Sequence, residues 1–350
     1  MAIVINNRTI SEKIYLITLF IWVVVTSLVT TTYFIRLEGF LSLYRIVLYF
    51  TIAMILIKEL VNLPRSLYHF RFHWEQLLIA VLFIISMFIV AKNREGLLDL
   101  NVLLLVFSAR DIDFRKLLGT FSFATFLVLV LTIFASNKGV ISNMIMRADS
   151  GYRFSLGFNY VSFASQRLFF ALCTYLMFRG KKISYMELLV LLSATIYMYQ
   201  QTSTTSPFYL SILILTYALF SLKIIKKGFI IEHFWMKTIA KYGFILALII
   251  TLYFCFYSSG NLFHFVDQFT HNRLRLSVEG FRNFGVSWLG QHIKFTLLDI
   301  FGNFTSNYNF IDSSFVQLLV IDGLIVSAFM LLTLTKVMKY FVSIRKDIVL

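Results

Sequence analysis

Cysteine, proline and charge are what this chain of 350 residues has least of. Its two cysteines, Cys173 and Cys255, both lie within apolar stretches, which excludes a disulfide framework and the spacing of a thiolate metal site. With Pro64 and Pro207 the only prolines, nothing marks a flexible linker or a second domain, so residues 1–350 read as a single transmembrane domain. Charged residues make up 14% of the chain, where a soluble domain carries about 25%. No Gly-rich phosphate loop, G-x-S-x-G elbow or H-E-x-x-H helix occurs. Outward-facing carboxylates are few and include no D-x-D pair, so neither a metal nor a cofactor is expected.

Apolar side chains are plentiful: 59% of the chain is hydrophobic, 17% aromatic, and mean hydropathy is +0.81. A spanning helix needs about 20 apolar residues. Ten stretches are candidates, at roughly 14–33, 44–60, 76–91, 97–110, 117–135, 154–178, 183–200, 207–222, 238–257 and 312–335. The first is too long for a signal-peptide core and no small-residue cleavage site follows, so it reads as an uncleaved span. The expected fold is therefore an all-α polytopic membrane protein of about ten transmembrane helices.

The loops test that count. With the N-terminus inside, inside segments collect nearly twice as many Lys and Arg as outside segments, as the positive-inside rule requires. Both ends are then expected in the cytoplasm, as for a polytopic inner-membrane protein. The net charge of +15 would suggest a nucleic-acid partner in a soluble protein; here the cytoplasmic loops account for it, and none is expected. Two outside segments are long, 136–153 and 258–311. The second is rich in aromatic residues and histidines, suiting a segment at the membrane surface and able to fold over the bundle. No internal repeat is visible, which withholds support from an inverted-repeat transporter.

Both long outer segments are basic, against the rule, at Arg153 and Arg273. Residues 272–284 read as a short amphipathic helix in which Arg275, Glu279 and Arg282 share a face and can pair. Arg273 points about 160° away from Arg275 and has no acidic neighbour in sequence, leaving a headgroup anchor or a ligand contact as its role. Below Arg153, the residues Ser155, Asn159, Ser162 and Gln166 recur at helical spacing. That is a polar stripe serving either interhelical hydrogen bonds or an outward-open cavity. Arg167 and Asp322, the costly charges deep in spans, fall at similar depth and are expected to form a structural ion pair.

Three stretches resemble the Wzy-type polysaccharide polymerases, which share a superfamily with the O-antigen ligases. They are Arg153-Phe-Ser-Leu-Gly157-Phe158; His271-Asn-Arg273-Leu-Arg-Leu-Ser-Val-Glu-Gly280-Phe continuing to Phe284-Gly285-Val-Ser-Trp-Leu-Gly290; and Asp312-Ser-Ser-Phe-Val-Gln317 reaching Gly323. Asp312 stands where ligases carry His, and Asn272 where a Gly commonly precedes the outer-loop Arg. The resemblance implies metal-independent glycosyl transfer between undecaprenyl-diphosphate-linked glycans, donor and acceptor, at the outer membrane face. The partners it implies are membrane lipid, a flippase and a chain-length regulator. It implies that Arg153 and Arg273 bind the diphosphate, that Asp312 or alternatively His271 is the base, and that Asn159, Ser162, Gln166 and Gln317 line the cavity. A lipid-linked oligosaccharide flippase, a ligase and a membrane acyltransferase are the alternatives.

Overall fold

The computed structural model describes residues 2–68, 74–94, 97–148, 151–220, 234–270, 272–296 and 309–343. It is all-α apart from one small hairpin. The helices are α1 (Ala2–Leu28), α2 (Glu38–Tyr68), α3 (Trp74–Asn93), α4 (Leu98–Ser108), α5 (Phe114–Asn137), α6 (Phe163–Arg179), α7 (Tyr185–Thr202), α8 (Thr205–Leu219), α9 (Phe234–Tyr257), α10 (Gly260–Phe269), α11 (Arg273–Phe284), α12 (Ser314–Gln317) and α13 (Gly323–Ser343). The apolar stretches coincide with these helices except at the start of the sixth, and the tenth is divided between α12 and α13. Five segments among the described residues are long and apolar enough to cross a membrane: Thr9–Leu28, Glu38–Asn62, Phe114–Asn137, Trp235–Tyr257 and Ser314–Ser343. Leu78–Asn93 and Thr205–Leu219 are apolar but shorter.

Local chemistry explains the boundaries. Asp113 caps α5 by accepting from the Arg115 and Lys116 amides at 2.9 and 3.2 Å. Ser184 and Glu187 form a reciprocal capping box at the start of α7. Pro207 occupies the first turn of α8, where its missing N–H has no helical acceptor to serve. Hydroxyls within the apolar helices return to their own backbones, as Thr51 does to Val47 O at 2.8 Å and Thr125 to Phe121 O at 2.8 Å. A polar side chain is thereby buried on an apolar helix without an open hydrogen bond. Large apolar side chains such as Phe88, Trp235 and Leu332 stay exposed on the helices, a surface compatible with a membrane protein.

The chain divides into two compact units. The first comprises Met1–Phe70 with Asn101–Lys227, the second Arg71–Leu100 with Gly228–Leu350. In the first, α1 packs on α2 and α5, and α5 on α6, around a core that includes Tyr15, Leu19, Val23, Ile55 and Ala124. In the second, α13 packs on α9 and α3, and α11 on α9, around Cys255, Leu274, Phe281, Ile311 and Val316.

The sixth apolar stretch departs from expectation. Residues Ile145–Ala148 (β1) and Gly151–Phe154 (β2) form an antiparallel hairpin, turns follow, and the helix starts only at Phe163. Gly157 is the reason. Its φ of +88° is foreign to a helix, and a Cβ there would meet Thr132 Cγ2 at 3.0 Å and Ser136 Cβ at 3.1 Å. Leu156 (φ 54°) completes the break, and its amide is taken by Asn143 Oδ1 at 2.9 Å. The stripe Ser155–Asn159–Ser162–Gln166 is therefore not a helical face.

Candidate functional site

The second unit brings two of the motif-bearing stretches together. Asn272, in the left-handed region at φ 65°, turns the chain into α11 and sets Arg273 at its first position. The buried Asp267 carboxylate accepts from the Arg275 amide at 2.8 Å and holds that turn to α10. Arg273 Nε then lies 3.5 Å from Asp312 Oδ2, with 56% of the Arg273 side chain and 32% of the Asp312 side chain exposed. The sequence reading of Arg273 as a guanidinium without an acidic neighbour is thus corrected, because its carboxylate comes from 39 positions along the chain. Gln317, expected to line a cavity, donates from Nε2 to Ile311 O at 2.6 Å and secures the turn that presents Asp312. His271 lies outside the described residues.

Behind this exposed pair the two stretches interlock. The Asn93 amide, at the end of α3, donates to Leu289 O at 2.7 Å and Ile321 O at 2.8 Å. His292 Nδ1 sits 3.0 Å from Asn93 O, which fixes the proton on that nitrogen. Residues Leu318–Asp322 widen into a π-turn. The first amides of α13 are then satisfied by the segment after α11, Leu324 N by Ser287 O at 3.0 Å and Ile325 N by Trp288 O at 3.2 Å. Arg94 completes the arrangement, gripping Asp322 with Nε to Oδ1 at 2.9 Å and Nη2 to Oδ2 at 2.7 Å. Asp99 approaches the same guanidinium at 4.0 Å. The hydrogen bonds to Asp322 push the Arg94 pKa further up.

The expected Arg167–Asp322 pair is therefore replaced. Asp322 is taken by Arg94 within its own unit. Arg167 donates from Nη1 to Ser27 Oγ at 2.6 Å and from Nη2 to Thr30 Oγ1 at 2.8 Å, within the first unit. The depth argument behind that pairing placed the start of the sixth helix nine residues too early. Arg94 was missed because it was counted as an ordinary loop charge; its position directly after an Asn that ends an apolar run was the available signal.

Arg153, on β2, donates from Nε to Thr202 O at 2.9 Å and from Nη2 to Ser203 O at 3.2 Å. It caps the C-terminus of α7, where a cation suits the helix dipole. Of the expected cavity residues, Ser162 stands immediately before α6 and accepts from Gln166 Nε2 at 3.3 Å, while Asn159 donates its backbone N–H to Thr30 O at 2.9 Å. Arg275 and Glu279 pair at 3.9 Å along α11, with both side chains well exposed. Glu279→Ala is expected to change the unfolding free energy by less than about 0.5 kcal/mol, measured by thermal unfolding in detergent, because such surface pairs contribute little.

No family model, curated protein or solved structure matches the chain. The site must be judged on its own chemistry. Arginine, aspartate and backbone donors are present; among the described residues no group of three or more His, Cys, Asp or Glu side chains could hold a metal. A guanidinium beside a carboxylate at an accessible turn can stabilise a phosphate oxygen and relay a proton.

Proposed function

We propose that this chain is a membrane glycosyltransferase of the Wzy type. It polymerises undecaprenyl-diphosphate-linked oligosaccharide repeat units at the outer face of a bacterial cytoplasmic membrane, with ten spans and both termini inside. The observation that carries the reading is the meeting of Arg273 with Asp312 at 3.5 Å, which joins the two outer-loop stretches on which the resemblance rests. In the reaction an acceptor sugar hydroxyl attacks the anomeric carbon of the donor glycan. The new C–O bond forms as the bond to the diphosphate breaks, and the hydroxyl proton passes to Asp312, or to His271. The diphosphate departs on its lipid with the electron pair, and its growing charge is met by Arg273. Arginine suits the task because its planar fork matches phosphate oxygens. A flippase and a chain-length regulator are the partners of such an enzyme.

The test is deletion of the gene in its host, with lipid-linked glycans resolved by gel. Accumulation of a single repeat unit at the outer face is expected, restored to a ladder by the wild type and not by Arg273→Ala. Repeat units trapped at the inner face would make the protein a flippase and overturn the reading. Unimpaired elongation in both Asp312→Ala and His271→Ala would remove the base from both candidates.

A further inference from the structure

Lys58, Arg94 and Arg179 are buried or half-buried cations, and each meets a carboxylate: Glu59 at 2.9 Å, Asp322 at 2.7 Å and Glu187 at 2.8 Å. Arg167 has no carboxylate among the described residues. It is held instead by two neutral acceptors, Ser27 Oγ and Thr30 Oγ1, which orient the guanidinium without cancelling its charge. Its Cζ lies 5.6 Å from the centre of the Phe158 ring, and its Nε is buried without a partner. Two of its five N–H groups are used on the hydroxyls. Asn159, whose backbone N–H donates to the O of the same Thr30 at 2.9 Å, has its side-chain Oδ1 also buried without a partner, and a half-turn of the side-chain amide would offer Nδ2 as a further donor. A charge withdrawn from water and left uncompensated is costly unless an opposite charge arrives.

Location sharpens this. Arg167 sits in the second turn of α6, and a helical side chain leans toward its helix N-terminus, the positive end of the dipole. Of its two anchors, Ser27 lies in the last turn of α1 and Thr30 two residues beyond it, at the C-terminal end of the candidate span Thr9–Leu28, and the end of a span is where an interface belongs. We infer that Arg167, with Ser27, Thr30 and Asn159, forms an anion site for the phosphate or diphosphate group of an amphiphile at that interface. The Arg273–Asp312 pair belongs to the other unit, and the inference does not rest on the polymerase reading. The phosphate could belong to a phospholipid headgroup or to a prenyl diphosphate, and guanidinium chemistry fits both.

The experiment uses the full-length protein in phosphatidylcholine nanodiscs, titrated with farnesyl diphosphate and with inorganic diphosphate, and compared with nanodiscs containing phosphatidylglycerol. Saturable binding is expected for at least one amphiphile; phosphatidylglycerol alone would name the headgroup as the source, farnesyl diphosphate the prenyl carrier. Arg167→Gln should weaken it by about ten- to a hundredfold, as loss of charge-assisted hydrogen bonds does. Arg147→Gln, an exposed cation on β1, should leave it unchanged. Should Arg167→Gln fail to fold, the Ser27→Ala, Thr30→Val double variant keeps the charge and frees its orientation, and should lose about threefold or more. No saturable binding of any probe by the wild type would overturn the site. So would undiminished binding by Arg167→Gln, or by the double variant where Arg167→Gln does not fold, or an equal loss in Arg147→Gln.

Discussion

Gly323→Ala is expected to prevent the second unit from reaching its folded state, with a cost of about 4 kcal/mol or more. Two independent terms contribute. The backbone at Gly323 has φ 82° and ψ 176°, a region essentially closed to residues with a side chain. A Cβ would also overlap the Gly290 amide nitrogen and stand 2.8 Å from Leu289 C and from Trp288 O, all backbone atoms that cannot rotate away. Gly290 shows the reciprocal picture: at φ 65° its Cβ would overlap Ile321 O and approach Asn93 Nδ2 to 2.6 Å. The two glycines are the crossing point of the segment after α11 and the start of α13, and Gly290→Ala should fail in the same way. Gly243, inside α9, is the control, because a Cβ added there would meet no atom within 4 Å. There alanine should be neutral or stabilise by about 0.5–1 kcal/mol through helix propensity. Size-exclusion profiles of detergent-solubilised protein after graded heating give the measurement. A Gly323→Ala protein that melts with the wild type would mean that the loop and α13 do not cross at this point.

Hydropathy made the helices legible, because lipid demands long apolar runs and the backbone must be satisfied within each. It could not resolve what interrupts them. The segment 154–162 is apolar enough to pass for helix, and the spacing of Ser155, Asn159 and Ser162 imitated a helical face. The overriding signal was backbone chemistry: Asp149-Ser150-Gly151 has the composition of a hairpin turn, and Gly157 that of a break. The amphipathic helix at 272–284 was readable because charge and apolar periodicity agree there, and α11 runs Arg273–Phe284. Ion pairing was the least legible property. Partner choice for Asp322, Arg167 and Arg273 is set by tertiary packing, and the correct partner of Asp322 lies 228 positions away.

The Arg94–Asp322 pair is where that difference can be measured most sharply. Arg94→Gln would leave the Asp322 carboxylate, with 3% of its side chain exposed, as a buried charge without its cation, and Asp99 nearby adds like charge. Asp322→Asn would leave Arg94 cationic beside a neutral amide. Each single change should cost about 3–5 kcal/mol of stability, as the removal of one partner from a buried pair does. The double variant Arg94→Gln, Asp322→Asn removes both charges together and should recover about 2 kcal/mol or more relative to the sum of the singles. The same cycle built on Arg167→Gln and Asp322→Asn should be additive, since those two side chains share no hydrogen-bond or ion-pair partner among the described residues. Thermal unfolding of the four proteins in each cycle separates the cases. Coupling at Arg167 with none at Arg94 would restore the pairing that depth alone suggested. Coupling at Arg94 ties the end of α3 to the π-turn before α13, and so makes the frame behind Asp312 depend on a charge that hydropathy counts only as a loop residue.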